Sequence, residues 1–134
     1  MRTVTKTYHI HGPVDAVWDA FVNPKTIDRW GGGHAVMEEA VGKKFSLWGG
    51  DIRGTNTEVV PHKKIVQDWY SGNWTEPSVV TFTFTQEKDA IRVDLLHENV
   101  PDGYADDIEK GWQEYYLGPI KQLVEQEAKN TKRG

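Results

Sequence analysis

Two histidines separated by one residue are the first candidates for chemistry in this sequence. His9 and His11 flank Ile10 near the start of the chain. On a strand, the two imidazoles would lie on the same face, as two ligands of a metal site do. Closed and catalytic sites need at least three protein ligands, and no third candidate follows from the sequence. The chain also contains no cysteine. We therefore predict an inert pair, with no metal and no cofactor.

A third histidine, His97, follows an alternating segment in which Ile91, Val93 and Leu95 share one face. The same alternation points His97 inward, where an imidazole can act as an acid or a base. No glycine elbow and no serine or cysteine nucleophile motif accompanies it. We therefore predict a hydrogen-bonded structural histidine and no catalytic residue. An enzymatic role, as a cyclase- or hydrolase-like enzyme, is therefore kept only as the third functional hypothesis for this sequence.

Adjacent carboxylates occur at Glu38-Glu39 and at Asp106-Asp107. Neighbours on a strand point to opposite faces, so the first pair cannot work together as acid and base. The second pair lies near the start of a predicted helix, and interaction with the helix dipole accounts for it. The run Gly31–Gly33 follows a helix and lacks a Lys-Ser/Thr pair, which excludes a phosphate loop. A hinge at a cavity mouth and a plain connector both remain open for this run.

Hydrophobic periodicity predicts the elements that position these residues. Alternation predicts a strand over 3–10, and Gly12-Pro13 ends it. An apolar stripe predicts the helix that follows; its members are Val14, Val17, Trp18 and Phe21. Asn23-Pro24 ends that helix and caps a shorter one that finishes near Trp30.

Six further extended segments follow, with a turn signal about every ten residues, which favours an antiparallel meander. They cover residues 35–40, 44–48, 52–60, 64–70, 78–85 and 90–98. Gly54 lies inside one of them and predicts a bulge or a bend. The last segment is helical, and Pro119 within it predicts a kink. Its apolar stripe consists of Tyr104, Ile108, Trp112, Tyr115, Tyr116, Ile120, Leu123 and Val124.

This order of elements predicts an α+β fold in which a curved antiparallel sheet wraps around a long C-terminal helix. One aromatic helix cannot bury its stripe alone, and the inner face of the sheet is the only surface large enough to receive it. Two short helices follow the first strand. We predict a single domain over residues 1–128 and a frayed tail over 129–134.

Composition limits the partners of this chain. Its 134 residues include 16 Lys and Arg against 20 Asp and Glu, a formal net charge of −4. This balance disfavours non-specific nucleic-acid binding, which depends on basic patches. No segment approaches the ~20 apolar residues of a membrane span, and the first residues lack the apolar region of a signal peptide. We therefore expect a cytoplasmic protein without nucleic-acid or membrane partners.

Several short motifs, in this order, resemble the family of activators of the ninety-kilodalton heat-shock-protein ATPase. The most specific are Asn99-Val100-Pro101 and the run from Gly111 to Tyr116, followed by Ile120-Lys121-Gln122. Earlier matches are Pro13 to Trp18, Gly42 to Phe45, Gly54, and Val60 to Val66 before Trp69. The resemblance covers the C-terminal domain of these activators and its stand-alone relatives. It implies the helix-grip (SRPBCC) fold of the lipid-transfer and birch-pollen-allergen superfamily, with about seven strands and a cavity.

The leading functional hypothesis is a non-enzymatic domain that binds a small apolar or amphipathic molecule between sheet and helix. The alternative is a co-chaperone-like interaction module in stress response, with a heat-shock chaperone as partner. Inward-facing side chains of the sheet and helix are the predicted ligand site. They are Trp30, Phe45, Leu47, Trp69, Phe82, Phe84, Val93, Leu95, His97, Trp112 and Tyr116.

Overall fold

The computed structural model describes the backbone of residues 1–133 and the side chains of residues 1–130. Within this part of the chain, the strands are β1 (Arg2–Ile10), β2 (Lys44–Leu47), β3 (Ile52–Val60), β4 (Lys64–Ser71), β5 (Ser78–Gln86) and β6 (Ile91–Val100). The helices are α1 (Val14–Val22), α2 (Pro24–Trp30), α3 (Ala105–Gly111) and α4 (Gly118–Arg133). A π-helical turn (Trp112–Leu117) joins α3 to α4, and short 3₁₀ turns lie at Trp48–Gly50 and Asp102–Tyr104.

All neighbouring strands are antiparallel, in the order β1-β6-β5-β4-β3-β2. Strands β2 to β6 form the predicted meander, and β1 pairs with β6. One face of β5 is buried through Val80, Phe82 and Phe84, while of the threonines between them Thr81 is half-buried and Thr83 is exposed. Alternation of this kind is expected of a sheet with one face on the core. The predicted α+β fold, a curved sheet around a long C-terminal helix, is confirmed.

The strand predicted over residues 35–40 does not form, so the described sheet has six strands. Val36 alone pairs, in one bridge with Ser46 whose two hydrogen bonds measure 2.9 and 3.0 Å. The buried side chain of Asn56 holds the segment beyond the bridge, because its Nδ2 donates to the carbonyl oxygen of Glu38 at 3.0 Å. A side chain thus satisfies a backbone group that a ladder would otherwise pair.

Gly54 serves a close approach between strands, and the predicted bulge lies elsewhere. The register shift between β3 and β4 falls between Asn56 and Glu58. At Gly54 a Cβ would lie 1.7 Å from the backbone oxygen of Asp68 and 3.0 Å from the Phe45 ring. Only a residue without a side chain fits there.

The interruption predicted at Pro119 takes the form of the π-helical turn just before it. The backbone N–H of Gly118 donates to the carbonyl oxygen of Gln113, five residues back. Pro119 has no N–H with which to continue the regular pattern. A Cβ on Gly118 would lie 2.3 Å from the same Gln113 oxygen, so this turn requires glycine.

The π-helical turn adds one residue to the helix and shifts its buried stripe by one position. Ala105, Trp112 and Tyr116 are buried before the shift. Leu117, Ile120 and Val124 are buried after it. Two members of the predicted stripe are exposed. Tyr115, within the π-helical turn, is 62% exposed. Tyr104 is 48% exposed and lies in the 3₁₀ turn before α3, outside the helix. A stripe extrapolated at constant helical spacing cannot anticipate the extra residue.

The last helix, α4, extends to Arg133. The predicted frayed tail over 129–134 overlaps this helix, and residue 134 lies outside the described residues. No helix in the described part of the chain combines the length and apolar character needed to cross a membrane.

Candidate ligand-binding cavity

An open cavity of about 410 Å³ lies between the sheet and the first half of the long helix. The sheet side contributes Trp48, Asp51, Ile52 and Trp69. The helix side contributes Asp107, Ile108, Gly111, Trp112, Tyr115 and Tyr116. Five of these ten residues are aromatic. The volume lies within the range of small-molecule sites, roughly 300–1,000 Å³. A mostly apolar lining is also typical of such sites.

The turn after β2 brings Trp48 to the cavity. Trp48 has a φ of +49°, which is uncommon for a bulky residue. Its N–H donates to the carbonyl oxygen of Gly32 at 2.8 Å, and the Gly49 N–H donates to that of His34 at 3.1 Å. The glycine run thus anchors this wall from outside without lining the cavity. A Cβ on Gly32 would lie 2.7 Å from the Ile27 side chain and one on Gly33 would lie 2.2 Å from Asp28 Oδ1, whereas one on Gly31 would meet no atom within 4 Å. The second and third glycines of the run are therefore closely packed.

The π-helical turn supplies the opposite wall. It carries Trp112, Tyr115 and Tyr116, three of the five aromatic residues that line the cavity. Gly111 precedes it, and a Cβ there would meet no atom within 4 Å. The missing side chain leaves open space in this part of the cavity lining. Single π-helical turns within α-helices frequently occur at functional sites.

Buried aromatic contacts hold the walls in place. The rings of Trp69 and Trp112 stack at 5.4 Å and 26°. Phe82 lies beneath Trp112 and Tyr116, with ring centroids 5.6 and 5.8 Å away. Trp30 contacts Tyr116 at 4.9 Å. Offset and edge-to-face ring pairs each contribute about 0.5–1.5 kcal/mol beyond burial, so these contacts stabilise the cavity walls.

His97 lies behind the wall in a chain of three buried hydrogen bonds. Trp112 Nε1 donates to His97 Nδ1 at 3.0 Å, so the proton of the neutral ring sits on Nε2. Nε2 donates to Ser78 Oγ at 2.7 Å, and Ser78 Oγ donates to the Trp69 carbonyl oxygen at 2.9 Å. Burial lowers the pKa of His97 to about 3. His97 is therefore a neutral structural histidine with both ring nitrogens occupied.

Residues 11–125 match the family described as Activator of Hsp90 ATPase homolog 1-like protein. The chain belongs to this family. It is 36% identical over 112 residues to an activator of 90 kDa heat shock protein ATPase homolog from Dictyostelium discoideum, covering 81% of this chain and 29% of that protein. It is 26% identical over 110 residues to the human activator homolog 1, covering 81% of this chain and 32% of that one. The chain thus spans less than two fifths of the length of these curated relatives.

Solved structures of family members and other proteins share the fold. An HSP90 activator from Plasmodium falciparum superimposes with a TM-score of 0.85 at 28% identity, covering 92% of this chain and 96% of that one. A protein from Mesorhizobium loti superimposes with a TM-score of 0.81 at 23% identity, covering 93% and 98% of the two chains, and shows the fold alone. The family and the helix-grip fold that the motifs indicated are confirmed.

Three of the eleven predicted ligand-site residues line the cavity: Trp69, Trp112 and Tyr116. Trp30, Phe82 and His97 lie directly behind those three. The others are buried in the core away from this cavity: Phe45, Leu47, Phe84, Val93 and Leu95. A contribution of any of these residues to ligand binding stays a prediction.

Seven lining residues were not among those predicted: Trp48, Asp51, Ile52, Asp107, Ile108, Gly111 and Tyr115. Two sequence features in this region were noticed but were interpreted without reference to a cavity. The Gly49-Gly50 turn indicated a hairpin, and the helix dipole accounted for Asp107. Only the tertiary fold brings the turn and the helix to opposite sides of one cavity.

The polar groups of this family member's cavity are few. Burial raises the pKa of Tyr116 above its ordinary value, so its hydroxyl stays protonated. Among the described residues, Gln67 Oε1 and Trp69 Nε1 are buried polar side-chain atoms without a hydrogen-bond partner. Trp69 belongs to the cavity wall.

The histidine pair near the N-terminus is split between two carboxylates. His9 Nε2 lies 3.3 Å from Glu87 Oε1, after β5, and His11 Nδ1 lies 3.0 Å from Glu125 Oε2, on α4. Within the described residues, no group of three or more metal-ligating side chains occurs. The absence of a metal site stays a prediction.

Proposed function

We propose that this domain binds a small apolar or amphipathic molecule in the aromatic cavity. One observation carries the proposal: five aromatic side chains surround open space that reaches the surface, and Gly111 leaves that space unfilled. A concave, mostly apolar surface of this size is the usual form of a small-molecule site. Walls held by ring contacts and by the His97 hydrogen bonds are preorganised, which lowers the cost of ordering on binding.

The direct test is a titration of the ¹⁵N-labelled chain with fatty acids, flavonoids, sterols and small aromatic compounds. We expect amide shifts at Trp48–Ile52 and Asp107–Tyr116, and a higher melting temperature. A ligand that prefers the folded state stabilises it by about 2.7 kcal/mol at one hundred times its Kd.

Filling the cavity provides the matched control. Gly111→Leu places a side chain where a Cβ meets no atom within 4 Å, and it should lower ligand affinity about tenfold or more. Gly103→Leu makes the same change at another open position, outside the cavity lining, and should leave affinity unchanged. Equal affinity in both variants, or shifts confined to other surfaces, would contradict the proposal.

A second candidate function is binding to the 90 kDa heat-shock chaperone. It is supported by the family and by the Plasmodium falciparum structure, which is described as an HSP90 activator. Because the chain spans only part of its curated relatives, activation of a chaperone ATPase is a proposal for this chain.

The chaperone hypothesis has its own readout. Purified HSP90 should change its ATPase rate when this chain is added, and the amides of an exposed face should shift. Gly111→Leu should leave this response intact if the cavity is not the contact surface. An unchanged ATPase rate together with an unchanged amide spectrum would contradict it.

An enzymatic role has less support. The family is described as an activator, and His97 does not line the cavity. The cytoplasmic location and the role in stress response stay predictions.

A further inference from the structure

The charges that line the aromatic cavity all have one sign. Its ten lining residues include two carboxylates, Asp51 and Asp107, and no lysine, arginine or histidine. Both carboxylates are exposed, one on each side of the cavity. The chain as a whole also carries a formal net charge of −4. A cleft lined by one sign of charge concentrates ligands of the opposite sign.

Neither carboxylate is neutralised by a basic side chain of the described residues. In the part of the chain that the structure describes, the side chains of Asp51 and Asp107 take part in no ion pair and no hydrogen bond. The nearby Lys110 lies 3.9 Å from Glu114 instead. Both charges therefore remain available to a ligand.

Two aromatic rings that line the same cavity suit the same kind of ligand. Trp48 is half-buried and Tyr115 is 62% exposed, so both present ring surface at the opening. The face of an aromatic ring carries partial negative charge and attracts a cation that lies over it, tryptophan most strongly. An anionic amphiphile such as a fatty acid would instead meet two like charges.

We propose that the cavity selects organic cations: molecules with an apolar body and a protonated amine or quaternary ammonium group. The inference rests on the proposed function of the cavity as a small-molecule site. The apolar body lies against Ile52, Trp69 and Trp112, and the cationic group lies at the opening between Asp51 and Asp107.

Three probes of similar shape and different charge test the inference. Phenyltrimethylammonium is the cation, tert-butylbenzene is its neutral counterpart, and benzenesulfonate is the anion. We expect affinity to fall in that order, measured by amide shifts of the full chain. A single charge at about 4 Å in water changes affinity about fivefold, so each carboxylate should contribute about that factor. High salt should weaken the binding of only the cationic probe.

Conservative variants separate charge from shape. Asp51→Asn and Asp107→Asn should each weaken the affinity for phenyltrimethylammonium about fivefold and leave the affinity for tert-butylbenzene unchanged. Asp106→Asn is the matched control, because it removes a neighbouring exposed charge at the same helix start but outside the lining. It should change cation affinity less than about twofold.

The outcomes distinguish the two proposals. Binding of tert-butylbenzene with equal or weaker binding of the cation overturns the inference and leaves the small-molecule function standing. Loss of cation affinity in Asp106→Asn equal to that in Asp107→Asn also overturns it, since general surface charge would then be the cause. Failure of all three probes to shift the lining amides overturns the inference; the proposed function falls with it only when fatty acids, flavonoids and sterols also leave those amides unshifted.

Discussion

The buried imidazole of His97 makes the stability of this domain depend on pH. Its pKa is lowered from 6.5 to about 3 because burial disfavours the charged ring. Between those values the unfolded chain binds a proton that the folded chain does not. The stabilisation is therefore complete above about pH 6.5 and is lost as the pH falls toward 3. We expect the free energy of unfolding to fall by up to about 1.4 kcal/mol per pH unit in this range from His97 alone.

Urea denaturation at pH 7 and pH 5 measures this slope. His97→Gln keeps a donor and an acceptor near Trp112 and Ser78 but cannot titrate, so the slope should flatten. His9→Gln is the control for the substitution itself, because it makes the same change at an exposed position on β1. Equal slopes for wild type and His97→Gln would show that this ring does not carry the effect.

The pair His9 and His11 is expected to be inert toward both folding and metal. Each ring is exposed and lies beside a different carboxylate, Glu87 or Glu125. His9→Ala combined with His11→Ala should change the free energy of unfolding by less than about 0.5 kcal/mol per site. Zinc titration of the wild type should detect no tight binding. A sub-micromolar affinity that disappears in the double variant would contradict this prediction.

Two glycines of the long helix should respond to the same substitution with opposite signs. Both have helical dihedral angles, with φ of −62° at Gly111 and −59° at Gly118. A Cβ at Gly111 meets no atom within 4 Å, whereas one at Gly118 would lie 2.3 Å from the Gln113 oxygen. Gly111→Ala should raise the free energy of unfolding by about 0.5–1 kcal/mol, because alanine loses less backbone entropy.

Gly118→Ala should instead lower it by about 1–3 kcal/mol, the usual cost of forcing atoms into occupied space. Chemical denaturation of the two variants gives both values. Stabilisation by Gly118→Ala would mean that the helix runs through this region without the π-helical turn.

At the scale of the whole molecule, Trp112 joins the helix to the sheet. It is 2% exposed, stacks on Trp69 and donates the hydrogen bond that holds His97. Trp112→Ala should lower the free energy of unfolding by roughly 3–5 kcal/mol, as truncation of other buried tryptophans does. Tyr115→Ala, three residues later on the exposed side, should cost no more than about 0.5 kcal/mol. A loss below about 1 kcal/mol for Trp112→Ala would contradict the observed packing.

Local periodicity was sufficient to predict most strands and helices, because the spacing of apolar residues within each element indicates which face is buried. The alternation of Val80, Phe82 and Phe84 predicts β5, and the stripe of Val17, Trp18 and Phe21 predicts α1; both sets are buried as expected. The order of the short motifs along the chain indicated the family, and through it the helix-grip fold. Residues 35–40 alternate without forming a strand, since Asn56, distant in sequence, satisfies the carbonyl group of Glu38.

The candidate site depended on tertiary structure to a greater degree. The sequence by itself determined that Trp69, Trp112 and Tyr116 face inward, and these three line the cavity. It could not separate cavity walls from packed core, because an inward aromatic residue has the same periodicity in either case. The exposed contributions of Asp51 and Tyr115 come from a turn and a π-helical turn that are adjacent only in the folded chain. Tertiary contacts decided that Asp51 and Tyr115 line the cavity, since this depends on which surfaces of the folded chain meet.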